Sequence, residues 1–136
     1  MNDRSHNTLA LLARVLIAAL FLPAGVGKLA GFEGTVGYVA SVGLPLPQVA
    51  AGLAVLLEVG GGLALLVGYK TRWVSWALAL FTLVAGGLFH AFWNAAPEQF
   101  MVQQIMFMKN LSIAGGLLAL SVLGAGGFSL DARRGD

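Results

Sequence analysis

The 136-residue chain contains no cysteine and few charged side chains, and both absences narrow its possible functions. Without cysteine, disulfide exchange, thiolate metal sites and cysteine nucleophiles are excluded. Charged residues make up only 10% of the chain, whereas soluble domains carry about 25%. The formal net charge of +2 is too small and too scattered to indicate nucleic-acid binding. Glycine-rich nucleotide-binding motifs and a Ser-His-Asp arrangement are also missing.

Long apolar stretches take the place of these features. Hydrophobic residues make up 58% of the chain, and the mean hydropathy is +0.84. A helix needs roughly 20 residues to cross a bilayer, and four stretches approach or exceed that length, at about residues 8–27, 48–68, 72–93 and 101–123. They leave too little chain for a soluble domain of about 50 residues. The sequence therefore predicts an all-α integral membrane protein, a single four-helix transmembrane domain over residues 1–136.

The connector of residues 31–47 is too short and too polar to form a fifth span, and it is rich in glycine and proline. A short interfacial helix around residues 34–41 and a plain loop are both compatible with its sequence.

The basic residues predict how the bundle lies in the membrane. With four crossings, the N-terminus, the turn after the second helix and the C-terminus share one side. That side carries five basic residues, which are Arg4, Lys70, Arg72, Arg133 and Arg134. The opposite side carries Lys28. Because cytoplasmic loops hold the excess of Lys and Arg, we expect both termini to be cytoplasmic.

Each apolar stretch contains an ionisable residue. Lys109 lies about one third of the way into the last stretch, where a charge is unfavourable by roughly 2.5–3.5 kcal/mol on insertion scales. Glu58 lies near the centre of the second stretch, His90 near the outer end of the third, and Arg14 in the first. Such residues usually face the bundle interior and pair with one another. We expect a polar column in the outer half of the bundle, with Glu58 paired to Lys109. Arg14 is the alternative partner, since either cation satisfies a carboxylate.

Further candidates are neighbours of these residues. Lys28 shares a helical face with Arg14, Trp93 follows His90 in an aromatic cluster typical of a membrane interface, and Asn110 adjoins Lys109. The candidate ligand-binding or proton-handling residues are therefore Arg14, Lys28, Glu58, His90, Trp93, Lys109 and Asn110. A purely structural role stays open for them, because buried pairs in membrane bundles also fix helix register.

We predict no metal or haem site. Met101, Met106 and Met108 are more typical of packing than of a copper site, because neither a methionine-rich repeat nor a paired histidine accompanies them. His6 and His90 lie at opposite ends of the predicted topology, so one chain does not offer two axial histidines to a haem.

Several short motifs follow one another along the chain. They are an arginine early in the first helix, GVGKL at 25–29, GLP at 43–45, Glu58 before three glycines, LLVGYKTR at 65–72, HAFW at 90–93 and KNL at 109–111. In this order they resemble the DoxX family of small four-helix membrane proteins, over about residues 9–123. The resemblance implies a multi-pass protein of the bacterial or archaeal inner membrane.

The resemblance also implies a function in membrane redox chemistry. Names in the family refer to subunits of terminal quinol oxidase and of thiosulfate:quinone oxidoreductase, and relatives are linked to oxidative-stress complexes. We therefore expect a quinone- or quinol-interacting subunit, in which Glu58 and His90 handle protons, Lys109 and Arg14 tune them, and Asn110 donates a hydrogen bond. The chain shows no redox cofactor of its own, so a soluble or membrane redox partner would supply the electron acceptor. No catalytic residue is assigned.

Two other functions would use the same residues. A membrane anchor or scaffold for a soluble enzyme needs the polar pairs only for its stability. A small-molecule transporter would use the polar column as its binding site and would need a homodimer, with the glycine patches as contact faces.

Overall fold

A computed structural model describes residues 3–135, and within that range the chain is helical, with no strand. The outermost residues of the predicted domain 1–136 lie outside this range. The helices are α1 (Asp3–Ala30), α2 (Phe32–Ser41), α3 (Pro47–Val67), α4 (Thr71–Phe89), α5 (Pro97–Leu123) and α6 (Leu130–Arg134). Four of them, α1, α3, α4 and α5, are long and apolar enough to cross a membrane. The predicted class is thereby confirmed, while the sidedness of the termini stays a prediction.

The helix ends differ from the predicted ones where polar or aromatic residues flank an apolar stretch. The first helix begins at Asp3, before the apolar stretch. An acidic residue in the first turn stabilises a helix through its interaction with the helix dipole. α4 ends at Phe89, and the aromatic run that follows forms a 3₁₀ turn at Phe92–Asn94. α5 begins at Pro97, since proline is well suited to the first helical position.

The connector between the first two spans contains the helix, not the plain loop. α2 covers Phe32–Ser41 and packs against the first part of α3. The Thr35 hydroxyl donates to the Lys28 carbonyl at 3.2 Å. The ring centroid of Tyr38 lies 5.0 Å from that of Phe89 at the end of α4. α2 therefore crosses the end of the bundle that lies opposite the termini.

An apolar core occupies the middle of the bundle. Phe21, Leu65, Leu78, Leu117 and Leu120 are all buried and in mutual contact there. Along α1, Phe21 stands between Arg14 and Lys28, so the core separates the polar groups at one end of the bundle from those at the other. α5 packs mainly against α4, and α1 packs mainly against α3.

Candidate functional site

A partly buried ion pair joins α1 to α3 in the half of the bundle away from the termini. The Lys28 ammonium lies 3.0 Å from each carboxylate oxygen of Glu58. The Glu58 side chain is 7% exposed and that of Lys28 is 36% exposed. The expectation that Glu58 pairs with Lys109 or with Arg14 is wrong. Glu58 faces α1, on which Lys28 is within reach, whereas Lys109 lies on an exposed face of α5.

Local backbone structure brings this pair together. Glu58 lies at the centre of a π-helical turn, Leu56–Gly60, of the kind that often marks functional sites. α1 approaches this turn closely at Gly25, where an added Cβ would lie 2.9 Å from the Glu58 Cβ and 2.7 Å from Cγ2 of Val59. Lys28 follows Gly25 by three residues and so lies on the same face of α1. The absent side chain of Gly25 therefore permits the ion pair.

Arg14 belongs to a different cluster, at the end of the bundle that carries the termini. It is fully buried, and its Nη1 donates to the carbonyls of Leu65 at 3.1 Å and Leu66 at 3.0 Å. Its Nη2 donates to the Phe128 carbonyl at 2.5 Å. The last carbonyls of a helix have no partner within it and attract a cation, so Arg14 caps the C-terminus of α3. The alternative pairing of Arg14 with Glu58 is therefore wrong.

The C-terminal segment completes this second cluster through Asp131. Its carboxylate accepts from the backbone N–H of Lys70 at 2.6 Å and of Thr71 at 2.9 Å, which caps the start of α4. The Asp131 N–H donates to the Gly68 carbonyl at 2.9 Å. Asp131 is not among the residues predicted from the sequence, because an acidic residue in a polar tail has no periodicity that connects it to a helix sixty residues earlier.

Lys109 points outward from α5, contrary to expectation. It is exposed, and its ammonium lies 3.8 Å from the sulfur of Met106. The inner face of α5 carries Asn110, Ala114 and Leu117, and successive residues of a helix point about 100° apart. Lys109 lines an open groove of about 480 Å³ on the outer surface. The other lining residues are Gln104, Ile105, Met108, Ser112 and Ile113.

The remaining candidates connect α4 to α5 near the end opposite the termini. His90 Nδ1 lies 2.9 Å from Oε1 of Gln103. Asn110 donates to the Thr82 carbonyl at 3.2 Å. The exposed ring of Trp93 packs edge-on against those of Phe92 and Phe107, the latter at 5.4 Å between centroids. These contacts are local. Of the seven candidate residues, the structure pairs Lys28 with Glu58, and it does not gather the seven into one column.

The fold and these contacts define a small polytopic membrane protein in which Arg14, Glu58 and Asn110 bind groups on adjoining helices. The chain belongs to the DoxX family, whose model matches residues 9–91. That match contains Arg14, Lys28, Glu58 and His90 and ends before α5. The predicted family is thereby confirmed.

Two relatives of the chain are named inner membrane proteins. The chain is 45% identical to inner membrane protein YqjF of Escherichia coli over 124 residues, which cover 89% of this chain and 88% of that protein. It is 38% identical to inner membrane protein YphA of the same organism over 125 residues, with 92% and 89% covered. It is also 26% identical over 135 residues to the yeast ER-derived vesicles protein ERV29, of which it covers 36%. No solved structure matches significantly. The chain is thus a multi-pass inner-membrane protein.

Proposed function

We propose that the protein is a quinone- or quinol-interacting membrane subunit, and that the groove beside Lys109 receives the ring. The observation that carries the proposal is the exposed ammonium of Lys109 in an open, mostly apolar groove of about 480 Å³ on a membrane-spanning helix. Ligand sites typically measure about 300–1,000 Å³ and combine apolar walls with a few placed polar groups. A ring diffusing in the bilayer reaches this groove directly from the lipid.

The polar groups of the groove suit a quinone. The two carbonyl oxygens of a quinone accept hydrogen bonds, and both the Lys109 ammonium and the Gln104 amide donate them. Ile105, Met108 and Ile113 supply the apolar surface against which a ring packs. Lys109 thus takes a direct binding role in this proposal, in place of the tuning role expected from the sequence.

Glu58 and His90 take no part in the proposed groove. Glu58 is held by Lys28, and His90 lies beside Gln103. Their part in the proposal is to fix the helices that position α5. No electron-transfer step is assigned to the chain, and the electron donor or acceptor belongs to a soluble or membrane redox partner.

A scaffold for a soluble enzyme is the second candidate function. It is favoured by the basic surface at the end that carries the termini, where Arg72, Arg133 and Arg134 are exposed.

A homodimer formed through the glycines of α5 is also a proposal. Gly115 and Gly116 are exposed on α5, and a Cβ added at either position would meet no described atom within 4 Å. Transport has less support, because the apolar core separates the two polar clusters.

Replacing Lys109 with methionine tests the quinone proposal. We expect decylubiquinone to raise the melting temperature of the wild-type protein in lipid nanodiscs, and the Lys109→Met variant to bind it about tenfold more weakly, since a hydrogen bond to a charged group contributes about 1.5–3 kcal/mol. The measurement is the melting temperature against quinone concentration.

A matched lysine at the other end of the bundle serves as the control. Lys70→Met removes the same charge far from the groove, and its quinone affinity should equal that of the wild type. The proposal fails if quinone leaves the wild-type melting temperature unchanged, or if both variants bind quinone as tightly as the wild type does.

A further inference from the structure

The groove beside Lys109 takes its walls from one helix. All of its lining residues lie between Gln104 and Ile113 of α5. Small-molecule sites enclose roughly 70–90% of the surface of a bound ligand, whereas a groove between the side chains of a single helix leaves one side of a ring uncovered. A closed site therefore needs a second wall that packs against the same face of α5.

The charge of Lys109 has no carboxylate partner among the residues that the structure describes. Its side chain is exposed on a membrane-spanning helix, and its ammonium lies 3.8 Å from the sulfur of Met106. Ionisable residues within membrane spans almost always pair with one another, with backbone carbonyls or with a water-filled cavity. A quinone ring is neutral and does not compensate this charge. The exposed ammonium therefore indicates that a carboxylate from outside the chain approaches α5.

The chain itself has no carboxylate to spare at this depth. Glu58 is the acidic residue that lies within a span, and Lys28 already holds it. The other acidic residues lie at helix ends or outside the four spans, and they are Asp3, Glu33, Glu98, Asp131 and Asp136.

A second copy of the chain does not supply the missing carboxylate either. Two copies cross the membrane in the same direction, so each residue lies at the same depth in both. Glu98 precedes Lys109 by eleven residues, which is about 16 Å along a helix at 1.5 Å per residue. A symmetric contact between two α5 helices would instead bring a second Lys109 ammonium towards the first. Charge complementarity therefore selects a different protein.

The face of α5 that continues beyond the groove suits a helix. Ser112, Gly116 and Ala119 follow Lys109 at spacings of three, four and three residues, which places all four on one face, and all are exposed. A Cβ added at Gly116 would meet no described atom within 4 Å. Small side chains let a neighbouring helix approach closely in a membrane.

We propose that α5 binds a transmembrane helix of another membrane protein, and that this helix carries a carboxylate at the depth of Lys109. The carboxylate accepts from the Lys109 ammonium, which has three N–H donors and so keeps one for a quinone carbonyl. The bound helix packs along Ser112 and Gly116 and forms the second wall of the groove. Its role as a wall rests on the proposed function. The redox partner is then a membrane protein with an acidic residue in its span.

Two synthetic membrane-spanning peptides test the proposal. Both are helices of about 24 residues rich in leucine and alanine, one with a single glutamate at the depth of Lys109 and the other with glutamine there. The chain has no cysteine, so Gly37→Cys on the exposed face of α2 carries one fluorophore, and energy transfer to the labelled peptide in phosphatidylcholine vesicles reports binding. We expect the glutamate peptide to bind about tenfold more tightly than the glutamine peptide.

Variants locate the contact on α5. Lys109→Met should bind the two peptides equally, and Lys109→Arg should keep the preference for glutamate. Gly116→Leu should weaken the binding of both peptides, because its side chain fills the contact face. Gly27→Leu, at an exposed position of α1, should bind them as the wild type does. Equal binding of the two peptides by the wild type, or a preference that survives in Lys109→Met, would overturn the proposal.

The peptide measurement contains no quinone, so it separates this proposal from the proposed function. A glutamate preference that depends on Lys109 supports the helix contact even if decylubiquinone does not bind. Conversely, quinone binding together with equal affinity for the two peptides would retain the proposed function and reject the helix contact. Labelled wild-type copies that bind each other more tightly than they bind the glutamate peptide would make a second copy the occupant and would also reject it.

Discussion

Replacing Arg14 with leucine is expected to release the C-terminal segment and to lower the free energy of unfolding by at least about 3 kcal/mol. The guanidinium is fully buried and donates to the carbonyls of Leu65, Leu66 and Phe128. A buried carbonyl left without its donor costs about 1–3 kcal/mol, and Leu65 is fully buried, whereas Leu66 and Phe128 are partly accessible. The loss of the bonds to these two carbonyls and of the packing of a buried side chain adds to that cost. The same change removes the cation that interacts with Asp131.

Two measurements check this result. Unfolding in mixed micelles gives the free energy, and trypsin cleavage at Arg133 and Arg134 reports whether the segment has detached. Arg14→Lys should fall between the wild type and the leucine variant, because one ammonium does not reproduce a fork that donates in two directions. Arg4→Leu, an exposed position on the same helix, should change neither quantity. An Arg14→Leu variant with wild-type stability and a protected tail would contradict the capping role.

Placing valine at Gly25 is expected to separate α1 from α3. An added Cβ would lie 2.7 Å from Cγ2 of Val59, 2.9 Å from the Glu58 Cβ and 3.0 Å from the Val59 backbone nitrogen. The last two atoms belong to the helix framework and cannot move without it. Overpacking of this kind costs about 1–3 kcal/mol, and we expect the upper part of that range because the Lys28–Glu58 pair is displaced as well.

Gly27 provides a matched control on the same helix. It is exposed, and a Cβ there would meet no described atom within 4 Å. Gly27→Val should therefore leave the free energy of unfolding within about 0.5 kcal/mol of the wild type, as surface substitutions usually do. If both valine variants unfold at the same denaturant concentration in mixed micelles, the close approach of α1 and α3 at Gly25 is not supported.

Hydropathy predicted the membrane-spanning helices well, because a run of about 20 apolar residues has few other stable solutions. It did not predict which face of each helix turns inward. Lys109 and Asn110 are adjacent, yet Asn110 contacts the Thr82 carbonyl and Lys109 faces outward. In a membrane the core and the lipid are both apolar, so the pattern that separates inside from outside in soluble helices is weak.

The contacts of the C-terminal segment could not be predicted from the sequence, for a different reason. Arg14 and Phe128 are 114 residues apart, and Asp131 caps a helix that begins sixty residues earlier. Neither contact follows from periodicity or from charge counts. The partner of Glu58 was closer to being predictable. Gly25 and Lys28 share a face of α1, and a glycine on that face indicates where another helix can approach.

The intramembrane ionisable groups contact separate neighbours and do not share one polar column. Double-mutant cycles for Glu58 with Lys28 and for Glu58 with Lys109, using Glu58→Gln, Lys28→Met and Lys109→Met, test it most directly through unfolding free energies in mixed micelles. We predict a coupling of about 1 kcal/mol or more between Glu58 and Lys28, and a value within about 0.3–0.5 kcal/mol of zero between Glu58 and Lys109. Strong coupling of Glu58 to Lys109, with none to Lys28, would contradict the account.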